Sequence, residues 1–175
     1  MLKRITAALL FLQLSILPAE AQTWTWTGAG ASNNWIDPQN WSPKSVPPDG
    51  ADVNLLLGLP KLDSPVVIRR LRMSAGYLDG SGNVTVTERM DWTSGVLQGT
   101  GTITIAPGAS LYGSETFNGI PLTLSRKLIL GGFAAPRAQH ILISNGSLEI
   151  TPSGALEITG DVGTAAAIGR ETGFT

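Results

Sequence analysis

Val84-Thr85-Val86-Thr87, Ile103-Thr104-Ile105-Ala106, Leu122-Thr123-Leu124-Ser125 and Ile141-Leu142-Ile143-Ser144 start at intervals of nineteen residues. Each is a short strand of period two with apolar side chains on one face. Strands returning at a fixed interval near twenty residues predict a solenoid, because each coil can bury its apolar face only on its neighbours. On this reading Val84, Ile103, Leu122 and Ile141 stack in one column. Val86, Ile105 and Leu124 then point inward, and Thr85, Thr104 and Thr123 point out.

Working outward, a second strand lies six and eight residues past each start, at Met90 and Trp92, Ala109 and Leu111, Leu128 and Leu130. Counted back to Pro65, the same offsets reach Leu71 and Met73. A third apolar position comes thirteen residues in, at Leu78 and Leu97, inside the matching strings 76–82 and 95–101. Glycine suits corners of this kind because it reaches φ values that strain other residues. The expected fold is all-β: a single-stranded parallel β-helix, roughly triangular, of about 19 residues per coil. Downstream, Leu148 and Ile150 fall one residue late, so a corner insertion is expected before them. Ser147-Leu148-Glu149-Ile150 and Ala155-Leu156-Glu157-Ile158 then read as successive strands of one coil. The alternative is an antiparallel sandwich, which many short strands between Gly/Pro turns also suggest. It gives no reason for constant spacing.

The ends read differently. Residues 1–21 join Lys3 and Arg4 to an apolar run from Ile5 to Leu17 and a small-x-small site at Ala19-Glu20-Ala21, the pattern of a signal peptide cut before Gln22. That run is short for a bilayer span, and no later segment is long enough. Without this leader the chain has ten basic and twelve acidic residues, a formal charge of −2. The nearest basic cluster is Arg69, Arg70 and Arg72, of which Arg70 and Arg72 share the solvent face of a strand. No broad positive field is present to attract nucleic acid. With no cysteine, no crosslink holds the fold. The expected organisation is a leader at 1–21, a Trp-rich cap at 22–62, solenoid coils at 63–163, and an end at 164–175 without a cap. Such an end fits the beginning of a longer exoprotein or a truncated relative of one.

The cap segment contains Trp24-Thr25-Trp26-Thr27-Gly28, Asn34-Trp35, Asn40-Trp41-Ser42, Val46-Pro47 and Gly50-Ala51-Asp52-Val53, with four of the five tryptophans inside eighteen residues. With Gly95-Val96-Leu97-Gln98-Gly99-Thr100-Gly101-Thr102-Ile103-Thr104-Ile105, this series resembles secreted bacterial parallel β-solenoid proteins of the autotransporter-passenger or filamentous-haemagglutinin-like kind. The resemblance covers residues 23 to 160. It implies an exported structural or adhesive domain at the cell surface, whose partners are surface glycans, host or matrix molecules, or other domains of a longer polypeptide. Read from the residues alone, Trp24, Trp26, Trp35 and Trp41 suit an end cap. Exposed and coplanar, they would instead make a sugar-stacking platform. Asp37, Asp49, Asp52 and Asn54 carry oxygen ligands for Ca²⁺, though their spacing matches turn-forming residues better.

Catalytic chemistry has little to start from, and neither a cofactor nor a metal is expected. His140 is the single histidine, and no Gly-x-Ser-x-Gly elbow is present. A polysaccharide lyase or hydrolase would need clustered carboxylates or bases on one face. Asp79, Glu88, Asp91 and Glu115 occupy differing positions in their coils, and Glu149 and Glu157 belong to sister strands. A Thr85–Thr104–Thr123 rank would suit ice, although Leu142 interrupts it and Thr is a good strand residue in any case.

Overall fold

The computed structural model describes residues 22–113, 122–136, 140–157 and 167–170. The expected leader at 1–21 therefore lies outside the described residues, as does most of 164–175. Three short strands open the fold: β1 (Thr23–Trp26), β2 (Trp41–Ser42) and β3 (Ala51–Leu55). The chain then winds about five turns of a parallel β-solenoid. The first two coils are β4 (Val66–Met73) with β5 (Tyr77–Leu78), and β6 (Val84–Trp92) with β7 (Val96–Leu97). The third is β8 (Thr102–Ile105), β9 (Ser110–Gly113) and β10 (Leu122–Leu124). The fourth is β11 (Lys127–Leu130), β12 (Phe133–Pro136) and β13 (His140–Ile143). The fifth is β14 (Ser147–Ile150), β15 (Ala155–Leu156) and β16 (Ala167–Arg170).

Every coil-to-coil pairing among these strands is parallel, and the pairings define three faces. The first carries Val66, Val84, Ile103, Leu128 and Leu148 in register, followed two residues on by Ile68, Val86, Ile105, Leu130 and Ile150. The second carries Val53, Leu71, Met90, Leu111, Ala134 and Leu156. The third carries Leu78, Leu97, Leu124 and Ile143. Val86, Ile105, Leu124 and Leu130 are completely buried and Leu111 nearly so, as their alternation predicts. Each such side chain contributes about 1.5–3 kcal/mol through the area it removes from water. The pair Ser147–Ile150 and Ala155–Leu156 does occupy consecutive faces of one coil.

The spacing of nineteen holds between β6 and β8, between β5 and β7, and between β10 and β13, but these do not form one column. Ile103 is followed by Leu128, twenty-five residues on, and not by Leu122. Leu122 and Ile141 stack with each other on the third face. The cause is an insertion: Leu111 to Leu124 spans six residues more than Met90 to Leu97, which carries the Leu122 motif round to another face. Leu128 and Leu130 accordingly belong to the first face, and Leu111, not Ala109, stacks on Met90. In the first coil Val66 replaces Pro65 opposite Val84, and a register shift after Ile68 restores the expected pairing of Leu71 with Met90. Leu148 and Ile150 sit twenty residues past their partners, the one-residue insertion expected.

Corner glycines let the coils approach. Gly80 and Gly99 hold φ of 107° and 99°, and a Cβ on Gly99 would overlap the Gly80 carbonyl below it. Gly82, Gly101 and Gly146 occupy a second corner column, interrupted by Arg126. The Arg126 side chain is buried and descends past these glycines, where Nε donates to the Gly101 carbonyl at 2.7 Å and Nη2 to the Gly82 carbonyl at 2.8 Å. A Cβ on Gly101 would meet its guanidinium. Desolvation lowers the Arg126 pKa from its usual value, opposed by the charge of Asp79.

Candidate functional site

The tryptophans close one end of the solenoid. β1 adds to β3 as a parallel rung, and β2 runs antiparallel at the outer edge of β1. Trp26, Trp35 and Trp41 are buried, with Trp41 edge-on to both others at centroid distances of 5.1 and 4.6 Å and interplanar angles of 85° and 71°. Trp24 is partly buried, its indole N–H donating to Ser45 Oγ at 3.1 Å. The connecting loop is organised by buried Asn40, whose side chain accepts from Gly30 N–H and donates to the carbonyls of Ser32 and Asn34. A sugar-stacking platform of Trp24, Trp26, Trp35 and Trp41 does not form. Stacking needs exposed, coplanar rings, whereas three of these are buried and mutually steep because their area is spent covering the first coil.

The proposed Ca²⁺ set is likewise dispersed. Asp37 caps a short 3-10 turn by accepting from Gln39 N–H, Asp49 accepts from Val67 N–H, Asp52 pairs with Arg69, and Asn54 reaches Thr25. The Thr rank also breaks. Thr85 and Thr104 are neighbours, but Ile129 and Glu149 continue their column, and Thr123 lies on the third face between Val96 and Leu142. Asp79 serves a corner, accepting from Gly80 N–H and from Gln98. Glu149 pairs with Lys127 on the coil below. His140 begins β13, while Glu115 lies outside the described residues.

The polar chemistry gathers on the outer side of the second face. Strand register stacks Asp52, Arg70, Arg89 and Ser110 in one outward column, and Asn54, Arg72, Asp91 and Tyr112 in the next. Where β6 turns from the first face to the second, Thr87, Glu88 and Arg89 are all exposed in succession. Glu88 there takes two arginines: Arg69 Nη1 at 3.0 Å, and Arg70 through Nε at 2.9 Å and through Nη2. Arg69 also reaches Asp52 at 2.6 Å, linking three rungs. Arg89 holds Asp91 with Nε and Nη2 and lies 4.4 Å above the centre of the Tyr112 ring. Hydrogen bonding from Arg70 is the main cause that holds the Glu88 carboxyl below its usual range. Glu88 and Asp91 raise the pKa of Arg70 and Arg89 in turn.

These side chains line an open groove of about 570 Å³, formed by Arg70, Glu88, Arg89, Asp91, Ser110 and Tyr112. Its wall is a local elaboration of the coil. The link from Ile105 to Ser110 has two more residues than that from Val86 to Arg89, and the extra length is taken up in the turn 106–109. Gly108 in that turn has φ of 82° and open space on its outer side. Sequence reasoning assigned Arg70 and Arg72 to solvent correctly. That Glu88 and Asp91, on one strand, face the same groove is not visible in the spacing of carboxylates from coil to coil. Comparison with protein-family models, with curated proteins and with solved structures finds no match for the chain.

Proposed function

We propose that this protein is an exported, non-catalytic β-solenoid with a structural or adhesive role at the bacterial cell surface, of the autotransporter-passenger or filamentous-haemagglutinin-like kind. The observation that carries the reading is the state of the groove carboxylates. Glu88 is held between Arg69 and Arg70, and Asp91 by Arg89. A glycoside hydrolase of the usual two-carboxylate kind needs one carboxyl that keeps its proton near neutral pH. Glu88 is shifted the opposite way. The face therefore suits presentation of fixed charges better than turnover. A Trp-sealed end and a continuous apolar stack supply the rigid support that presentation requires.

The leader-like residues 1–21 support export, and the Trp-rich series supports the surface role. Partners on this reading are surface glycans, host or matrix molecules, and other domains of a longer polypeptide. The test is to express the full chain in a bacterial host, sequence the N-terminus of the external product, and measure its adhesion to glycan- and matrix-coated surfaces. The expected product begins at Gln22 and adheres without degrading polysaccharide. Retention in the cytoplasm with Met1 in place would overturn the export. Polysaccharide cleavage abolished by Glu88→Gln or Asp91→Asn would overturn the non-catalytic role.

A further inference from the structure

The geometry points to the Arg70–Arg89–Tyr112 groove as a binding site for a carboxylate-bearing sugar chain. The inference rests on the reading of the protein as a non-catalytic surface solenoid and names the ligand class of its outward face. Four arginines, Arg69, Arg70, Arg72 and Arg89, meet three carboxylates, Asp52, Glu88 and Asp91, so the patch keeps one positive charge on a chain whose formal charge is −1.

The ion pairs do not exhaust the guanidinium donors. Arg70 engages Glu88 through Nε and Nη2, and Arg89 engages Asp91 through the same two atoms. Neither Nη1 has a hydrogen-bond partner among the described residues. Arg72 is exposed next to Asp91 and makes no ion pair among the described residues. These forks match a carboxylate in shape and charge. Beside them, Glu88, Asp91 and Ser110 offer oxygen acceptors for sugar hydroxyls, and the Arg89 guanidinium, held by Asp91, lies over the Tyr112 ring.

Charge density selects among anions. A nucleic acid or heavily sulfated glycan brings charges so closely spaced that Glu88 and Asp91 would repel it, with no broad positive field to compensate. A chain with one carboxylate per sugar ring can place that group at the spare guanidinium donors and its hydroxyls at the acidic oxygens. The groove is open, so it admits a segment of an extended chain.

The test is titration calorimetry on the full chain with four probes: an oligogalacturonate, its methyl ester, a sialylated oligosaccharide and a sulfated glycan. Binding of the first or third is expected, and which of them binds identifies the source of the carboxylate. Esterification should weaken binding at least tenfold. Arg72→Gln, which removes no ion pair or side-chain hydrogen bond among the described residues, should weaken it several-fold, and Arg89→Gln and Tyr112→Ala tenfold or more, with unchanged circular dichroism. Lys127→Gln, away from the groove, should leave it intact. Equal binding of acid and ester, tightest binding to the sulfated probe, binding unaffected by the Arg72 and Tyr112 changes, or no binding to either carboxylated probe would overturn the site. Export and adhesion are measured separately. Adhesion that persists without groove binding sinks the site alone, and groove binding by a chain that is never exported sinks the surface reading alone.

Discussion

At the scale of single residues, the informative positions are charged groups that the coil geometry forces into company. Glu88 contributes stability through Arg69 and Arg70, and its folded pKa is lowered below the ordinary 4.5. Such a contribution is present above the unfolded pKa and is lost as pH falls through the folded one. Glu88→Gln should therefore melt slightly below wild type at neutral pH, and the gap should persist to about pH 4.5 and close in stronger acid. A gap that widens on acidification would contradict the ion pairing. Arg126 is the opposite kind of residue, a buried cation whose Nε and Nη2 each donate to a backbone carbonyl while Nη1 has no partner among the described residues. Arg126→Ala orphans both and removes the stem that fills the glycine channel, so a loss of about 2–4 kcal/mol is expected in denaturant titration. Arg126→Met keeps the stem and should lose less than Ala. Nothing in the local sequence Ser125-Arg126-Lys127 marks Arg126 as buried, because its position depends on the absence of a Cβ atom at Gly101, far away in the chain.

At the scale of elements, the corners decide the register. Gly99→Ala combines a φ of 99° with overlap on the Gly80 carbonyl and should cost at least about 2 kcal/mol. Gly108→Ala has a similar φ of 82° but open space around it, so only the conformational cost of about 1 kcal/mol remains. Equal melting of the two variants would contradict the corner packing. Legibility follows the same division. Strands were readable because alternation and burial share a period of two, and Leu78 with Leu97 paired as their identical settings implied. The column through Leu122 was misread because sequence reports the distance between motifs but not how the intervening residues divide among corners. Two residues added between the first and second faces and six between the second and third carry the Leu122 motif to a different face, and two removed after Leu124 bring Leu128 onto the first. The groove was hidden for a related reason. Its residues come together across rungs and around a bend, so no local spacing announces it.

At the scale of the whole molecule, stability should be graded along the axis. Within one column Val86, Ile105 and Leu130 are wholly buried, whereas Ile150 on β14 is 46% exposed. Leu130→Ala should cost about 2–5 kcal/mol and Ile150→Ala under about 1 kcal/mol, read from urea midpoints. Ile105→Asp, which sets an unpaired carboxylate in the middle of the stack, should prevent cooperative folding. Comparable losses at Leu130 and Ile150 would show that β14 is covered as well as β11.

The matched corners at Gly82 and Gly101 also make the intervening coil a unit of growth. Residues 83–101 start and finish at equivalent points of successive turns. A tandem copy of this stretch would lay Val84, Val86, Met90 and Leu97 on their own duplicates, so these columns stay apolar. Arg126 would still look down on two glycines, the copied Gly101 and the original. The penalties are buried Trp92 lying on its own duplicate, where Met73 and Gly113 flank it in the single copy, and Arg89 over its own duplicate, a like-charge pair on an exposed face. A gene lengthened by this one cassette is expected to yield a folded chain about 4.8 Å longer, with an extra row of guanidinium groups on its outer side. Unequal crossing-over in such a gene would thus change the reach of the protein in whole coils, with repacking required around the duplicated Trp92.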